Sequence, residues 1–389
     1  MSRVHNLSIA HGLALATGLL IFHPAFAQLP TLQPEQRLHL PPDPAPQPPE
    51  DLPVHFGERV FTDSNTAIVT VDQGRAAYAY VKNGSDEWVY QDALAAPAGF
   101  TSTGAAVHGN VALVEGVVDS TGVTWVFYRT HGHWSLTQTL PGSGGENSFA
   151  AYVAVGDDYL AIGEPTFDDF KGGIAIYNAV GAGSYTYNTT LQAAGAFEGY
   201  LTGTDTKIAG NTVAALTPGI GSLSVFVRTN GVWSEQALLT RTDALQLQSF
   251  ALDNNRLVLA ADGHEEGQAN NPQVFVRHNG SWSLEQELVH PTDPQAHLDS
   301  SVALDGKRLV VGDTTNDTAF LYERNGSAWT AVAELPRIKT LSCLLDSDGS
   351  GRQSLSASAG VAFAACPSVS TPDPRFDGRV LVYKLPAIQ

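Results

Sequence analysis

From residue 54 onward the chain alternates short apolar runs, rich in β-branched and aromatic residues, with clusters of Gly, Asn, Asp and Pro. No ten-residue window places apolar residues at helical spacing, so the pattern predicts an all-β body. The runs repeat. Phe226-Val-Arg-Thr-Asn-Gly-Val-Trp233 is followed by Leu239, Phe275-Val-Arg-His-Asn-Gly-Ser-Trp282 by Leu288, and Tyr322-Glu-Arg-Asn-Gly-Ser-Ala-Trp329 by Leu335. Trp88 with Leu94, Trp134 with Leu140, and Tyr185 with Leu191 complete six copies, spaced 46, 51, 48, 49 and 47 residues apart. Each aromatic lies six residues before its Leu, and six is a multiple of the two-residue strand period. The pair is therefore expected on one face of its strand.

Three further runs precede each Trp–Leu element in a fixed order. The first resembles Ser300-Ser-Val-Ala-Leu304, and a tight polar turn such as Asp305-Gly306 follows it. The second is the most apolar, as in Val111-Ala-Leu-Val114 or Leu309-Val-Val311. A variable loop then leads to the aromatic strand, and Asn-Gly, which supplies the positive φ of a tight hairpin, joins it to the Trp strand. Four antiparallel strands per unit of about fifty residues is the blade of a β-propeller. Aromatic strands at Tyr80, Phe127, Tyr177, Phe226, Phe275, Tyr322 and Tyr383 make seven blades, at about 54–98, 99–142, 143–195, 196–243, 244–293, 294–339 and 340–389.

The seventh blade ends before a Trp strand can form. An open ring leaves a strand edge unpaired, and a strand from the other terminus removes it. Leu32-Gln-Pro-Glu-Gln-Arg-Leu38 has the same six-residue spacing, so residues 31–40 are expected to supply the missing outer strand. Pro34 suits an edge. The Pro-rich stretch 41–53 would then cross to blade one.

Ahead of this segment, Arg3, the apolar run Leu13 to Phe22 and Ala25-Phe26-Ala27 make residues 1–27 a secretory signal peptide. No later run is long and apolar enough to span a bilayer, so the chain is expected to be exported to a periplasmic, cell-surface or secreted location. A net charge of −18 argues against nucleic acid and anionic membranes as partners. The two cysteines, Cys343 and Cys366, are expected to pair in an oxidising compartment.

Phe56-Gly57, the runs ending in Gly and an acid (Val310-Val311-Gly312-Asp313 and Ala161-Ile162-Gly163-Glu164-Pro165) and the aromatic strands together resemble FG-GAP repeats. These are the units of the integrin α-subunit propeller and of exported bacterial proteins, and the resemblance covers residues 54–385. It departs where calcium would bind, because the hairpins between first and second strands are too short for an Asp-x-Asp-x-Asp-Gly loop. Asp346 and Asp348, on a Gly/Ser loop, are the weak metal candidates, so no cofactor is expected and calcium lacks a full loop motif.

The loops between second and third strands collect acids: Asp168 and Asp169; Asp262, Glu265 and Glu266; Asp313 and Asp317; Asp373 and Asp377. Because the loop recurs at one place in each blade, these acids are expected on one face as a binding surface. No nucleophile, metal or phosphate-loop motif is present. The expectation is an exported, non-catalytic scaffold that binds an extracellular or periplasmic protein or glycan through that face. A carbohydrate-active hydrolase or lyase using the loop carboxylates, and a purely structural surface protein, are the alternatives.

Overall fold

The computed structural model describes residues 29–41, 56–71, 76–95, 97, 101–118, 121–141, 152–243, 246–261, 271–293, 296, 298, 301–313, 316, 318–336, 354–366 and 378–388. They form seven four-stranded antiparallel sheets, each built from strands consecutive in sequence except the last. The first strands of all seven line one central channel, among them Val60–Thr62, Ala105–Val107 and Val153–Val155. The protein is a seven-bladed β-propeller.

Blade seven consists of Leu355–Ser358, Val361–Cys366 and Arg379–Lys384, and its outermost strand is Gln36–Leu38 from the other end of the chain. Gln36 pairs with Val382 and Leu38 with Val380, as the closing-strand expectation requires. Residues just before it are also tied down: Leu32 N–H donates to Glu334 O, and Glu334 N–H donates to Pro30 O, both on the outer strand of blade six. The crossing stretch 42–55 lies outside the described residues.

The outer strands correct one expectation. In each of blades one to six, the third and fourth strands slip register opposite the repeated aromatic, for example between Val126 and Phe127. One residue of the outer strand is left unpaired at this bulge, and the parity of side chains beyond it reverses. The aromatic and its Leu therefore point to opposite faces of the blade. Trp134 packs in the cluster it shares with Leu94 of blade one, whereas Leu140 packs with Val155 and Leu160 of blade three. Trp329 and Leu335 divide in the same way between blades five and seven. Each outer strand thus seals both neighbouring interfaces.

The bulge also aims polar side chains. Its extra residue accepts the next blade's indole N–H: Trp134 Nε1 donates to Gln91 at 2.9 Å, Trp282 Nε1 to Gln236 at 3.0 Å, and Trp329 Nε1 to Glu285 at 3.0 Å. The residue after it reads the same aromatic's backbone, as when Gln286 accepts from Trp329 N–H and donates to Trp329 O at 2.8 and 2.9 Å. Gln138 does so for Tyr185. Gln36 does so for Trp88, accepting from its N–H at 2.8 Å and donating to its carbonyl at 2.5 Å. The closing strand therefore carries the same recognition chemistry as the other outer strands.

Gln36→Ala is expected to leave the backbone N–H and carbonyl of the buried Trp88 without these partners, costing about 1–3 kcal/mol. Denaturant unfolding should show a lower midpoint at unchanged slope. An unchanged midpoint would show that the seam contributes nothing.

Candidate functional site

Aligning the seven first strands by their turns puts one residue of each at the loop-face end of the channel wall. These are Arg59, Gly104, Tyr152, Asp205, Ser249, Ser301 and Ser354, each one step beyond the channel-lining stretch or at its edge. The collar is asymmetric. Blades one to four carry its charged and aromatic members, and blades five to seven carry serines, with Ser301 and Ser354 hydroxyls 2.6 Å apart.

Glu115 enters this collar from the second strand of blade two, where it pairs directly with Gly104. A side chain at 104 would place its Cβ 2.1 Å from Glu115 Oε1, so the glycine leaves the space that the carboxyl group fills. The residue is 2% exposed. Its Oε2 accepts backbone N–H groups of Tyr152 at 2.5 Å and Val153 at 3.2 Å. Burial pushes the Glu115 carboxyl up from 4.5 to about 7; Arg59 and the two backbone donors oppose that rise, and the nearby Asp205 charge adds to it. A carboxyl titrating there can both take and return a proton near neutral pH.

Among the described residues, strained backbone is found beside it. Seven of the described non-glycine residues with positive φ (Ser64, Asp86, His131, Asn230, Asn254, Asn279 and Ala359) sit at or beside hairpin turns on the opposite face. The other five in the described residues, Tyr152, Asp168, Asp169, Phe170 and Leu201, lie on the loop face at blades three and four. Tyr152, at φ 73°, is the residue whose N–H reaches Glu115. Left-handed conformations of this kind cost roughly 1–3 kcal/mol each and gather where a geometry is needed for function.

The acids expected from sequence behave differently. Asp168 and Asp169 lie in the turn Phe167–Phe170 on the loop face, with Asp168 paired to Lys171 at 2.9 Å and bonded by Gln192. The Lys171 hydrogen bond holds the Asp168 carboxyl below its ordinary value. Asp313 is buried, accepting from His290 Nε2 at 3.1 Å and from the side chain and backbone of Asn316 at 2.8 and 3.1 Å. Asp293 N–H donates to His290 Nδ1, which leaves Nε2 as the ring nitrogen facing Asp313. Burial alone would raise the Asp313 carboxyl, but these hydrogen bonds outweigh it and hold the group low. It joins the loop between blades five and six and is unsuited to proton transfer. Asp262, Glu265, Glu266, Asp317, Asp373, Asp377, Asp346, Asp348 and Cys343 lie outside the described residues. Cys366 is buried at the end of its strand in blade seven.

No protein-family model matches the chain, and no curated protein matches it in sequence. Solved structures do match in fold. A protein from Lactobacillus plantarum superposes with a TM-score of 0.53 at 16% identity, covering 71% of this chain and 84% of that one. A protein from Bacteroides uniformis, named as a candidate 6-phosphogluconolactonase, gives 0.54 at 12% identity over 70% and 83%. The periplasmic gluconolactonase of Pseudomonas aeruginosa gives 0.50 at 12% identity over 71% and 84%. At these identities the likeness establishes the propeller fold.

One expectation is corrected here. The chain was expected to be a non-catalytic scaffold because it lacks a nucleophile or cofactor motif. Propellers of this architecture include proteins named as lactonases, so the missing motif does not argue against catalysis. Two of these three structures carry lactonase names, and none of the three carries the FG-GAP name.

Because folded Glu115 holds its proton up to about 7 while an unfolded glutamate releases it near 4.5, the folded state binds more protons across that window. Stability from this group is present below pH 4.5 and is lost as pH rises toward 7, by about 3 kcal/mol. Glu115→Gln should flatten that decline in unfolding free energy measured between pH 4 and 8. An identical pH dependence in the variant would place the Glu115 carboxyl at its ordinary value.

Proposed function

We propose that the protein is an exported hydrolase that opens a lactone or related ester of a sugar acid at the loop-face mouth of its channel. The observation that carries this reading is Glu115, a buried carboxyl raised to about 7 and fixed by a strained backbone donor. The lactonase names of similar propellers support the reaction class.

In this reading ionised Glu115 takes a proton from water as the water oxygen bonds to the lactone carbonyl carbon. The carbonyl oxygen becomes an oxyanion, and the Arg59 cation, whose charge acts on Glu115, is the nearby group suited to stabilise it. When the tetrahedral adduct collapses, the ring carbon–oxygen bond breaks and the protonated Glu115 returns its proton to the departing alkoxide. The product is the open hydroxy acid, and Glu115 is regenerated.

Export fits the same reading. The leader-like residues 1–27 and the periplasmic location in the name of one similar propeller both favour the periplasm, and among the described residues no helix is long and apolar enough to cross a membrane. A Cys343–Cys366 disulfide would form in that compartment. An FG-GAP origin of the repeat is supported by the buried acids Glu164 and Asp313 at equivalent strand ends.

Purified protein should hydrolyse glucono-1,5-lactone faster than buffer does, followed by proton release at pH 7. Glu115→Gln should lower kcat/KM by about 100-fold or more while leaving the fold intact. Wild-type rates equal to the buffer rate for this lactone and a panel of sugar-acid lactones would contradict the proposal.

A further inference from the structure

The unpaired residues at the outer-strand bulges of blades one to six are Gln91, Thr137, Asn188, Gln236, Glu285 and Val332. Each stands toward the start of the next blade's outer strand, and its type matches what it meets there. Gln91, Gln236 and Glu285 accept the indole N–H groups of Trp134, Trp282 and Trp329 at 2.9, 3.0 and 3.0 Å. Thr137 meets Tyr185, which has no indole, and its hydroxyl donates to Gly183 O at 2.7 Å instead. Val332 stands toward the closing strand, which has no aromatic, and packs in the cluster that also takes Leu32.

Asn188 breaks the match. The next blade's aromatic is Trp233, and among the described residues its indole nitrogen is the one that is buried without a hydrogen-bond partner. Asn is one methylene shorter than Gln, so from the same bulge it falls short of the nitrogen that Gln91 and Gln236 reach. A buried N–H in this state has given up its hydration for nothing in return. The residue after the bulge adds to the difference. Asp92 accepts from Trp134 N–H at 3.1 Å, and Gln138 and Gln286 bond the backbone of Tyr185 and Trp329, whereas blade three has the shorter Thr189 at this place. Trp233 is held by packing: the Tyr159 ring of blade three meets it edge-on at 4.9 Å. At the loop end the same two blades are joined by strained chain, where Leu201 is left-handed and Gly203 has φ 106°.

We infer that the seam between blades three and four is a built-in point of opening, looser than the seams sealed by an indole hydrogen bond because one side chain in the repeated pattern is too short. Local openings of this kind have free energies below that of global unfolding, so a seam can part while the rest of the ring stays folded. In the collar this seam separates Tyr152 of blade three from Asp205 of blade four, so parting it widens the loop-face mouth of the channel. It does so whether or not the protein hydrolyses a lactone.

The test is hydrogen exchange of the full folded protein, read by mass spectrometry on peptides from the outer strands Val232–Thr240, Ser281–Glu287 and Ala328–Pro336. In the wild type the blade-four strand should exchange about tenfold faster than its counterparts in blades five and six, the factor that one hydrogen bond is worth. Asn188→Gln gives the bulge the side chain it has in blades one and four, and should slow the blade-four strand while leaving blade five unchanged. Asn188→Ala removes no bond to Trp233 and should keep the wild-type rates. Gln236→Asn should carry the defect to the next seam and speed exchange of the blade-five strand. Equal protection of the three strands in the wild type overturns the inference. So does an Asn188→Gln protein whose blade-four strand exchanges as fast as in the wild type.

Discussion

A single extra residue in the outer strand of each of blades one to six is what joins the separate sheets into one molecule. A four-stranded blade has two apolar faces and cannot bury both by itself. In a regular strand, Trp134 and Leu140 would share one face and leave the other interface without its outer anchor. The bulge at Thr137 reverses the parity, so Trp134 seals against blade one and Leu140 against blade three. The same device recurs six times and directs polar side chains onto the next blade's aromatic. The N-terminal strand repeats the polar half of this arrangement through Gln36 and the apolar half through Leu38.

A ring locked in this manner is rigid on the hairpin face and can carry irregular backbone on the other. Hairpin-face carboxylates cap the next blade's turn, as when Asp63 accepts Gly109 N–H at 2.6 Å and Asp253 accepts Gly306 N–H at 2.7 Å. Among the described residues, blades three and four carry left-handed backbone on the loop face, beside the charged half of the collar. Scaffold and site thus divide along the channel axis. The cost of the strained residues is carried by interfaces that do not take part in the chemistry.

Much of this was legible in the sequence. The Trp–Leu period marked the blade length, the seven aromatic strands marked the blade count, and the matching spacing of Leu32 and Leu38 marked the closing strand. What the period hid was the bulge, because an even spacing implies one face only when pairing is unbroken. The Gln-x-Leu ending shared by Gln36-Leu38, Gln138-Leu140 and Gln286-Leu288 would have marked the outer strands more sharply. Glu115 was missed for a different reason. Acids were sought in loops, whereas it interrupts the apolar run Val111–Val118, where the matching positions in other blades are Thr70, Gly163, Leu216, Ala260, Gly312 and Ala365. A lone acid at the one place where six equivalent residues are uncharged was the available signal.

The role of the bulge can be isolated in blade two. Deleting Thr137 restores regular pairing and turns Leu140 away from blade three, whereas Thr137→Ala keeps the extra residue and removes only its hydroxyl hydrogen bonds. Equilibrium unfolding of the two variants side by side should show the deletion to be worse by several kcal/mol, or unable to fold, since a buried leucine and its contacts are lost. Equal stability of the two would contradict the account, because the outer strand would then seal both interfaces without its change of parity.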